Sequence, residues 1–351
     1  MSNSPDSPDR ILVVRTSAIG DIVFASGLAS ALRERYPRAH LTWLVEDGLQ
    51  DLLCAHPAID EVLAWPRRHW RQLWRSRRYG ALLRAVQAFR AQLRAQRFQL
   101  VLDLQGLLKS GALAWLSGAP RRVGLNSREG SRLLMTEVVT GHGRIERIGS
   151  EYQHLAQALG LRHEPFRPML HVPAAAEAGA DALLAAHGLA RGGYVVFAPF
   201  TTRAQKHWFD DAWQELARDL EARLGLPVVL LGAPADRTRA QALRSNAEGI
   251  VDLTGRTGLG EAMAVVRGAR LVIGVDTGLT HMGIALARPT VALFGSTRPY
   301  LDTGRDDARV IWLGLACSPC RRHPTCGGAF DCLRQITPAM VMHEVLRVLD
   351  R

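Results

Sequence analysis

Long apolar runs are missing from this sequence. Arg, Asp or Gly interrupts every candidate, so no stretch reaches the ~20 apolar residues that a membrane-spanning helix needs. The first ten residues, MSNSPDSPDR, have no apolar core and do not form a secretory signal. We therefore expect a cytoplasmic protein that contacts membranes only peripherally.

Acidic residues are missing from one long segment. No Asp or Glu occurs between Glu61 and Asp103, and the net charge of the whole chain is +11. Ten arginines lie in this segment, at positions 67, 68, 71, 75, 77, 78, 84, 90, 94 and 97. Such a segment is typical of proteins that bind a polyanion, which here would be a phosphorylated lipid, a membrane surface or a nucleic acid. A solvated helix face is the alternative, since arginine also favours helices.

Cysteine is scarce, and four of the five cysteines lie near the carboxyl terminus within sixteen positions. Disulfides are disfavoured in a cytoplasmic chain, and four close thiols are able to form a tetrahedral thiolate site. We therefore predict a structural zinc or iron ion. Its ligands would be Cys317, Cys320, Cys326 and Cys332. The second pair is separated by five residues instead of the two usual in zinc ribbons, so packed free cysteines are the alternative.

Short apolar runs alternate with helical patterns along the whole chain. Runs such as Ile11–Val14 and Leu271–Val275 are apolar throughout, as strands covered on both faces are. The alternation predicts an α/β fold with doubly wound parallel sheets. Because single cores stop growing near ~250 residues, a chain of 351 residues is expected to form two domains.

The sequence from 126 to 175 is poorer in strand patterns than its neighbours and contains several Gly and Pro residues. We therefore expect one domain over residues 1–175 and a second over residues 176–336. A last helical pattern, in residues 337–351, follows the second series of strands. We predict that this helix packs back on the first domain.

The sequence has neither the GxGxxG fingerprint of dinucleotide-binding proteins nor a Walker loop. Instead, the loop RTSAIGD follows the first predicted strand and ends in Asp21. Ligands of open α/β sheets bind at the carboxyl ends of the strands, which makes Asp21 a candidate functional carboxylate. Capping of the helix that follows is the alternative role.

Two loops of the second half form a candidate anion site. The strand ending in Asp276 is followed by Thr277, Gly278 and His281 at a helix start, where free amides and the helix dipole favour phosphate. The strand YVVFA is followed by TTRAQKHW, in which Lys206 would neutralise a leaving phosphate. The alternatives are a capped helix with a satisfied histidine and an ordinary polar loop.

Four motifs of the chain resemble those of glycosyltransferase family 9, the ADP-heptose:lipopolysaccharide heptosyltransferases, and resemble heptosyltransferase I more than II. They are RTSAIGD (15–21), DLQGLLKS (103–110), TTRAQKHW (201–208) and VDTGLTH (275–281). The resemblance implies a GT-B fold, in which two Rossmann-like domains face a central cleft. It also implies that the enzyme transfers L-glycero-D-manno-heptose from ADP-heptose, with inversion, to a Kdo residue of lipid A. The resemblance further implies that the reaction needs no catalytic cofactor and takes place at the inner face of the cytoplasmic membrane.

The same resemblance assigns roles to single residues. Asp21 would be the general base and Lys206 would bind the donor phosphates. The residues that match donor-site positions are Thr201, Thr202, Lys206, Asp276, Thr277, Gly278 and His281. Arginine forks suit the phosphates and carboxylates of the acceptor, so we assign the acceptor to cations of the first domain. These cations are Arg67, Arg68, Arg71, Lys109 and Arg128.

Two other functions stay open at this point. The tail cysteines are spaced more as in heptosyltransferase II, which favours another family 9 transferase, either heptosyltransferase II or a protein heptosyltransferase. A non-catalytic basic protein that binds membranes or nucleic acid is the third hypothesis. Asp21 and Lys206 argue against it, since a pure binding protein needs neither. We expect no nucleic-acid partner because the sequence has no recognisable RNA-binding motif.

Overall fold

The computed structural model describes residues 7–162, 165–245, 249–320 and 323–350, so the first six residues of the amino-terminal segment lie outside it. The chain divides into two compact units. The first comprises Met1–Ile145 and Gly149–His171, and the second comprises Glu146–Ile148 and Val172–Arg351. Within the described residues, no helix is long and apolar enough to cross a membrane.

The first unit is built on one parallel sheet. Its strands are β1 (Arg10–Val14), β2 (His40–Glu46), β3 (Glu61–Trp65), β4 (Leu100–Asp103), β5 (Arg121–Leu125) and β6 (Glu137–Val139). Its helices are α1 (Ile19–Ala25), α2 (Gly27–Arg35), α3 (Arg67–Arg75), α4 (Tyr79–Ala95), α5 (Leu108–Leu116) and α6 (Ser150–Ala158). Ile11–Val14 of the central strand are at most 1% exposed, which explains why this strand has no polar side chain after Arg10.

The second unit is built on a second parallel sheet. Its strands are β7 (Val195–Ala198), β8 (Val228–Leu230), β9 (Ile250–Asp252), β10 (Leu271–Val275), β11 (Thr290–Leu293) and β12 (Ala308–Ile311). Its helices are α7 (Ala174–Ala185), α8 (Asp210–Leu224), α9 (Arg237–Arg244), α10 (Leu259–Gly268), α11 (Gly278–Ala285), α12 (Asp331–Arg334) and α13 (Pro338–Leu349). Helix α8 ends at Gly225, whose φ of +63° is the left-handed conformation that glycine adopts readily after a helix.

The two sheets have the same strand order. Within the described residues the first runs β3-β2-β1-β4-β5-β6 and the second runs β9-β8-β7-β10-β11-β12. In such a sheet the strand order reverses between the first and fourth strands, and ligands bind at the carboxyl ends of those strands. The four motifs lie at these ends: two follow β1 and β4, and two follow β7 and β10. The predicted α/β class with doubly wound parallel sheets is confirmed.

The prediction that the carboxyl-terminal helix packs on the first domain is wrong. Helix α13 packs on α8 and on β11 and β12, all within the second unit. Val341, Met342, Val345 and Val348 form its apolar stripe, and each is at most 2% exposed in the core of that unit. Helix α13 directly follows the second sheet along the chain, and the surface formed by α8, β11 and β12 buries its whole apolar stripe.

Candidate active site

Asp21 lies in the first turn of α1 and not before the helix. Its Oδ2 accepts a hydrogen bond from the backbone N–H of Ala18 at 3.2 Å and forms an ion pair with Nη2 of Arg15 at 2.6 Å. Arg15 is buried, whereas the Asp21 side chain is 42% exposed. Both of these contacts use Oδ2 of the exposed carboxylate.

Gln105 joins the loops that follow β1 and β4. Its Oε1 accepts hydrogen bonds from the backbone N–H of Thr16 at 3.2 Å and from the Thr16 hydroxyl at 2.7 Å. Asp103 in turn shapes the second loop, because its buried carboxylate accepts from the N–H groups of Gln105 and Gly106 and from the Ser110 hydroxyl. Burial raises the pKa of Asp103, and these donors oppose that shift. Sequence analysis did not identify this link, although Asp103 and Gln105 lie in a quoted motif.

Two of the predicted acceptor cations lie close together in the first unit. Arg67 forms an ion pair with Glu46 at 2.9 Å, and its guanidinium stands 5.6 Å from the centre of the Trp65 ring. Burial lowers the pKa of Lys109, and the charge of nearby Arg67 lowers it further. A lysine with a lowered pKa beside an arginine gains from a bound anion, since the anion relieves the repulsion between the two cations.

The other three predicted acceptor cations are exposed. Arg68 stands 3.4 Å from Asp47 and its side chain is 76% exposed. Arg68 and Arg71 line a shallow depression of about 480 Å³ on α3. Arg128 lies in the loop after β5, where its backbone N–H donates to the carbonyl of Gly106. Arg68, Arg71 and Arg128 are therefore more exposed to solvent than Arg67 and Lys109.

A charged network occupies the corresponding position in the second unit. Lys206 Nζ lies 2.5 Å from Oδ2 of Asp276, and His281 Nε2 lies 3.1 Å from Oδ1 of the same carboxylate. The Thr297 hydroxyl also donates to Asp276, at 2.6 Å. Burial favours the neutral acid, but His281 and then Lys206 outweigh it and hold the pKa of Asp276 well below its usual range. The structure thus brings together three residues that were assigned to the donor site.

Tyr300 completes this network, and sequence analysis missed it. Its hydroxyl lies 2.7 Å from Nδ1 of His281, and both side chains are buried. Tyr300 follows β11 in a loop whose sequence, GSTRPY, carries no recognisable ligand pattern. Only the fold shows that this loop lies beside the loop after β10.

The start of α11 lies directly against the sheet. Thr277 precedes the helix and Gly278 is its first residue, so the first N–H groups of the helix point toward the carboxyl end of β10. Gly274 makes this approach possible: a Cβ there would lie 2.1 Å from the Thr280 hydroxyl and 2.8 Å from Cβ of Ala198. Free amides at a helix start suit phosphate oxygens.

The loop after β7 carries the remaining donor residues. His207 Nε2 donates to the carbonyl of Thr201 at 2.8 Å, which closes the loop around the turn Ala204–Lys206. Thr201 is half-buried and Thr202 is exposed. Two hydroxyls and Lys206 thus lie in one short loop beside the Asp276 network.

The four tail cysteines lie near one another. Cys317 is exposed, Cys320 and Cys326 are half-buried and Cys332 is buried. Burial, followed by the charges of the other three thiols, raises the pKa of Cys332 to about 11. In the part of the chain that the structure describes, no group of three or more His, Cys, Asp or Glu side chains is arranged to hold a metal ion. The zinc or iron site stays a prediction.

Comparisons with known proteins agree with this arrangement. The family model of glycosyltransferase family 9 (heptosyltransferase) matches residues 86–328. The chain is 33% identical to lipopolysaccharide heptosyltransferase 1 of Salmonella typhimurium over 88% of this chain and 94% of that protein. Identity to lipopolysaccharide heptosyltransferase 2 of the same organism is 26%, over 97% of this chain and 99% of that protein.

A solved structure supports the fold. Escherichia coli heptosyltransferase WaaC, determined with ADP-2-deoxy-2-fluoro heptose, matches with a TM-score of 0.73 and 26% identity over 96% of this chain and 99% of WaaC. Its similarity extends over both sheets, and the predicted GT-B fold is confirmed. Because the family model covers more than half of the chain and the relatives align over most of it, the chain belongs to glycosyltransferase family 9 and is a glycosyltransferase.

Proposed function

We propose that this enzyme transfers L-glycero-D-manno-heptose from ADP-heptose to a Kdo residue of the lipid A inner core. The observation that carries the proposal is the position of the four motifs at the β1/β4 and β7/β10 strand ends. The similarity to lipopolysaccharide heptosyltransferase 1 of Salmonella typhimurium supports heptose and lipopolysaccharide, and the ADP-2-deoxy-2-fluoro heptose in the WaaC structure supports an ADP-linked donor.

In the proposed reaction the acceptor hydroxyl attacks the anomeric carbon of the heptose. Asp21 takes the hydroxyl proton through Oδ1 while the bond between the anomeric carbon and the diphosphate oxygen breaks. A single displacement without a protein nucleophile inverts the configuration at that carbon. The ion pair with Arg15 engages Oδ2 of Asp21, so Oδ1 is the oxygen proposed to meet the acceptor.

The departing ADP carries negative charge, which residues of the second unit have to stabilise. Lys206 and the first N–H groups of α11 are the donors suited to it. Asp276 stays ionised beside Lys206 and therefore holds the lysine in place rather than titrating. The proposed reaction is carried by side chains and backbone amides and requires no cofactor.

The acceptor assignment rests on the cations of the first unit. Arg67 and Lys109 lie near β2 and α5, where a Kdo carboxylate or a lipid A phosphate would relieve their mutual repulsion. Heptosyltransferase 1 is favoured over heptosyltransferase 2 by the identities of 33% and 26%. Because the proposed acceptor is a lipid, we also propose peripheral association with the inner face of the cytoplasmic membrane.

Mass spectrometry of the product tests the proposal. Purified enzyme is incubated with ADP-heptose and Kdo-lipid A, and we expect the acceptor to gain the mass of one heptosyl residue. ADP-glucose serves as the control donor and is expected to give no product. Transfer only to an acceptor that already carries heptose would instead support the heptosyltransferase 2 hypothesis, and no transfer to either acceptor would refute both.

A further inference from the structure

The turn between α3 and α4 exposes three large apolar side chains. Trp74 is 62% exposed, Tyr79 is 53% exposed and Leu83 is 58% exposed. The rings of Trp74 and Tyr79 contact each other edge to face, with centroids 5.3 Å apart. Large apolar side chains that are exposed and in contact mark an interaction surface more often than scattered single ones do.

Packing of the two helices does not require these exposed side chains. The inner sides of α3 and α4 are held by Leu73, Phe89 and Leu93, each at most 5% exposed. The Trp70 ring packs edge to face on Trp65 and on Phe89. The helix pair therefore has an inner apolar side that attaches it to the sheet and an outer apolar side that is in solvent.

Arginines surround the outer apolar side of the helix pair. Arg75, Arg77 and Arg78 are exposed, and none of them forms an ion pair with a carboxylate of the described residues. Arg191 of the second unit, by contrast, is paired with Asp181 at 2.7 Å. Arg77 has a φ of 57°, a left-handed conformation that is uncommon for a residue with a side chain and that forms the turn between the helices.

We propose that this surface, formed by Trp74, Arg75, Arg77, Arg78, Tyr79 and Leu83 and called here the turn surface, docks the enzyme on an anionic phospholipid bilayer. The proposal rests on the proposed function, because it is the lipid acceptor that requires a membrane position. Trp and Tyr settle at the level of the lipid headgroups, where the indole and phenol rings are partly apolar and partly polar. Leu83 enters the acyl region, and the arginines bind the lipid phosphates.

The composition of the turn surface favours lipid over nucleic acid. Leu83 is highly exposed and would gain nothing from a phosphate backbone. Each arginine near an anionic bilayer strengthens binding about fivefold, so a few unpaired arginines together with the apolar side chains suffice for reversible docking.

Vesicle sedimentation tests the proposal with the full chain. Vesicles of phosphatidylcholine and phosphatidylglycerol, free of acceptor, are compared with vesicles of phosphatidylcholine alone. We expect the wild type to bind the anionic vesicles preferentially. The variant Arg75→Gln/Arg78→Gln should bind about twentyfold more weakly at low salt. Trp74→Ser/Tyr79→Ser/Leu83→Ser should bind at least about tenfold more weakly and keep a steep salt dependence.

A matched control carries the same change of charge elsewhere. Arg218→Gln/Arg223→Gln alters two exposed arginines of α8 and should bind vesicles as the wild type does. The proposal is overturned if the turn-surface variants bind like this control, or if the wild type binds neutral vesicles equally well.

A second assay separates this proposal from the proposed function. Heptose transfer to a water-soluble Kdo acceptor without acyl chains needs no membrane, so every variant is expected to match the wild type there. Absence of transfer by the wild type would refute the proposed function and leave the vesicle result to be judged by itself. Loss of soluble-acceptor activity in the turn-surface variants would assign those residues to the reaction and overturn their docking role.

Discussion

Tyr300 and His281 form a hydrogen bond of 2.7 Å on the side of the imidazole ring opposite Asp276. In the tautomer whose Nε2 donates to Asp276, Nδ1 is the acceptor and the Tyr300 hydroxyl is the donor. Tyr300 thereby selects the tautomer that keeps Asp276 hydrogen-bonded and, through Asp276, keeps Lys206 in position. We therefore expect Tyr300 to act as a positioning residue through His281 and not to contact the substrate itself.

Replacing Tyr300 with Phe should weaken ADP-heptose binding about tenfold, since an unsatisfied buried acceptor costs about 1–3 kcal/mol. The acceptor KM should not change. Tyr194→Phe is the control, because Tyr194 is also buried and donates to the carbonyl of Val265. This control should lose stability without losing donor affinity. Equal effects of the two variants on donor KM and on the melting temperature would leave Tyr300 with a structural role only.

Replacing Asp21 with Asn should lower turnover by at least about 100-fold, the low end for a lost general base. The amide oxygen of Asn still accepts from the N–H of Ala18, so the start of α1 is preserved. Calorimetry with ADP-heptose should give an affinity close to that of the wild type. Near-normal turnover by the folded variant would rule out the assignment of Asp21 as the base.

Replacing Arg68 and Arg71 with Ala should raise the acceptor KM and weaken its dependence on salt while sparing donor binding. Arg67 is excluded from this test because its contacts with Glu46 and Trp65 also support the fold. Initial rates at low and high ionic strength give both quantities. An acceptor KM that is unchanged at low salt would show that these two arginines do not bind the acceptor and only form a solvated helix face.

His56 should make the first unit sensitive to mild acid. Burial and then the charge of His171 lower the pKa of His56 from 6.5 to about 4. Its Nδ1 accepts from the N–H of Ala58 at 3.2 Å, which requires that nitrogen to be unprotonated. The unfolded chain therefore takes up more protons between pH 6.5 and pH 4, so stability is full above this window and falls as the pH drops through it.

Urea unfolding of a His56→Asn variant at pH 7 and at pH 5 measures this effect. The variant should be less stable at pH 7 but should lose less stability than the wild type on going to pH 5. The control is His69→Asn, because His69 is exposed on α3 and should leave the pH dependence unchanged. A pH dependence in His56→Asn as steep as in the wild type would contradict the prediction.

Metal analysis decides the hypothesis for Cys317, Cys320, Cys326 and Cys332. A structural site requires about one equivalent of zinc plus iron in protein purified without chelator or nickel, and removal of the metal should lower the melting temperature. The matched control is Cys54→Ser, since Cys54 is exposed and far from the tail in sequence. A content of zinc plus iron below roughly a tenth of an equivalent, together with four freely titratable thiols, would show that these cysteines are packed without a metal.

The sequence predicted the central strands and the four motifs, because strands covered on both faces are apolar throughout. It did not identify β5, β6 and β12, whose sequences RRVGL, EVV and ARVI contain charged residues that face solvent. Strands β6 and β12 are at the edges of their sheets and need no second apolar face. Edge strands of this kind are ambiguous in a single sequence.

Site residues were predictable where they lie in the motif that follows a strand, as Asp21, Lys206 and Asp276 do. Tyr300 was not predictable, because it lies 19 residues beyond His281 and meets it only after β11 has been placed beside β10. The link from Gln105 to Thr16 likewise joins loops that are 89 residues apart. Contacts of this range depend on strand order, which local patterns do not specify.

Gly274 limits how the donor site of this chain is able to change. With no room for a side chain between β10 and α11, the amides of the helix stand at a fixed height above the sheet. One wall of the site is therefore not adjustable by substitution. A transferase that evolves from this chain toward a bulkier nucleotide has to gain the space elsewhere, for example in the neighbouring loop that carries Thr201, Thr202 and Lys206.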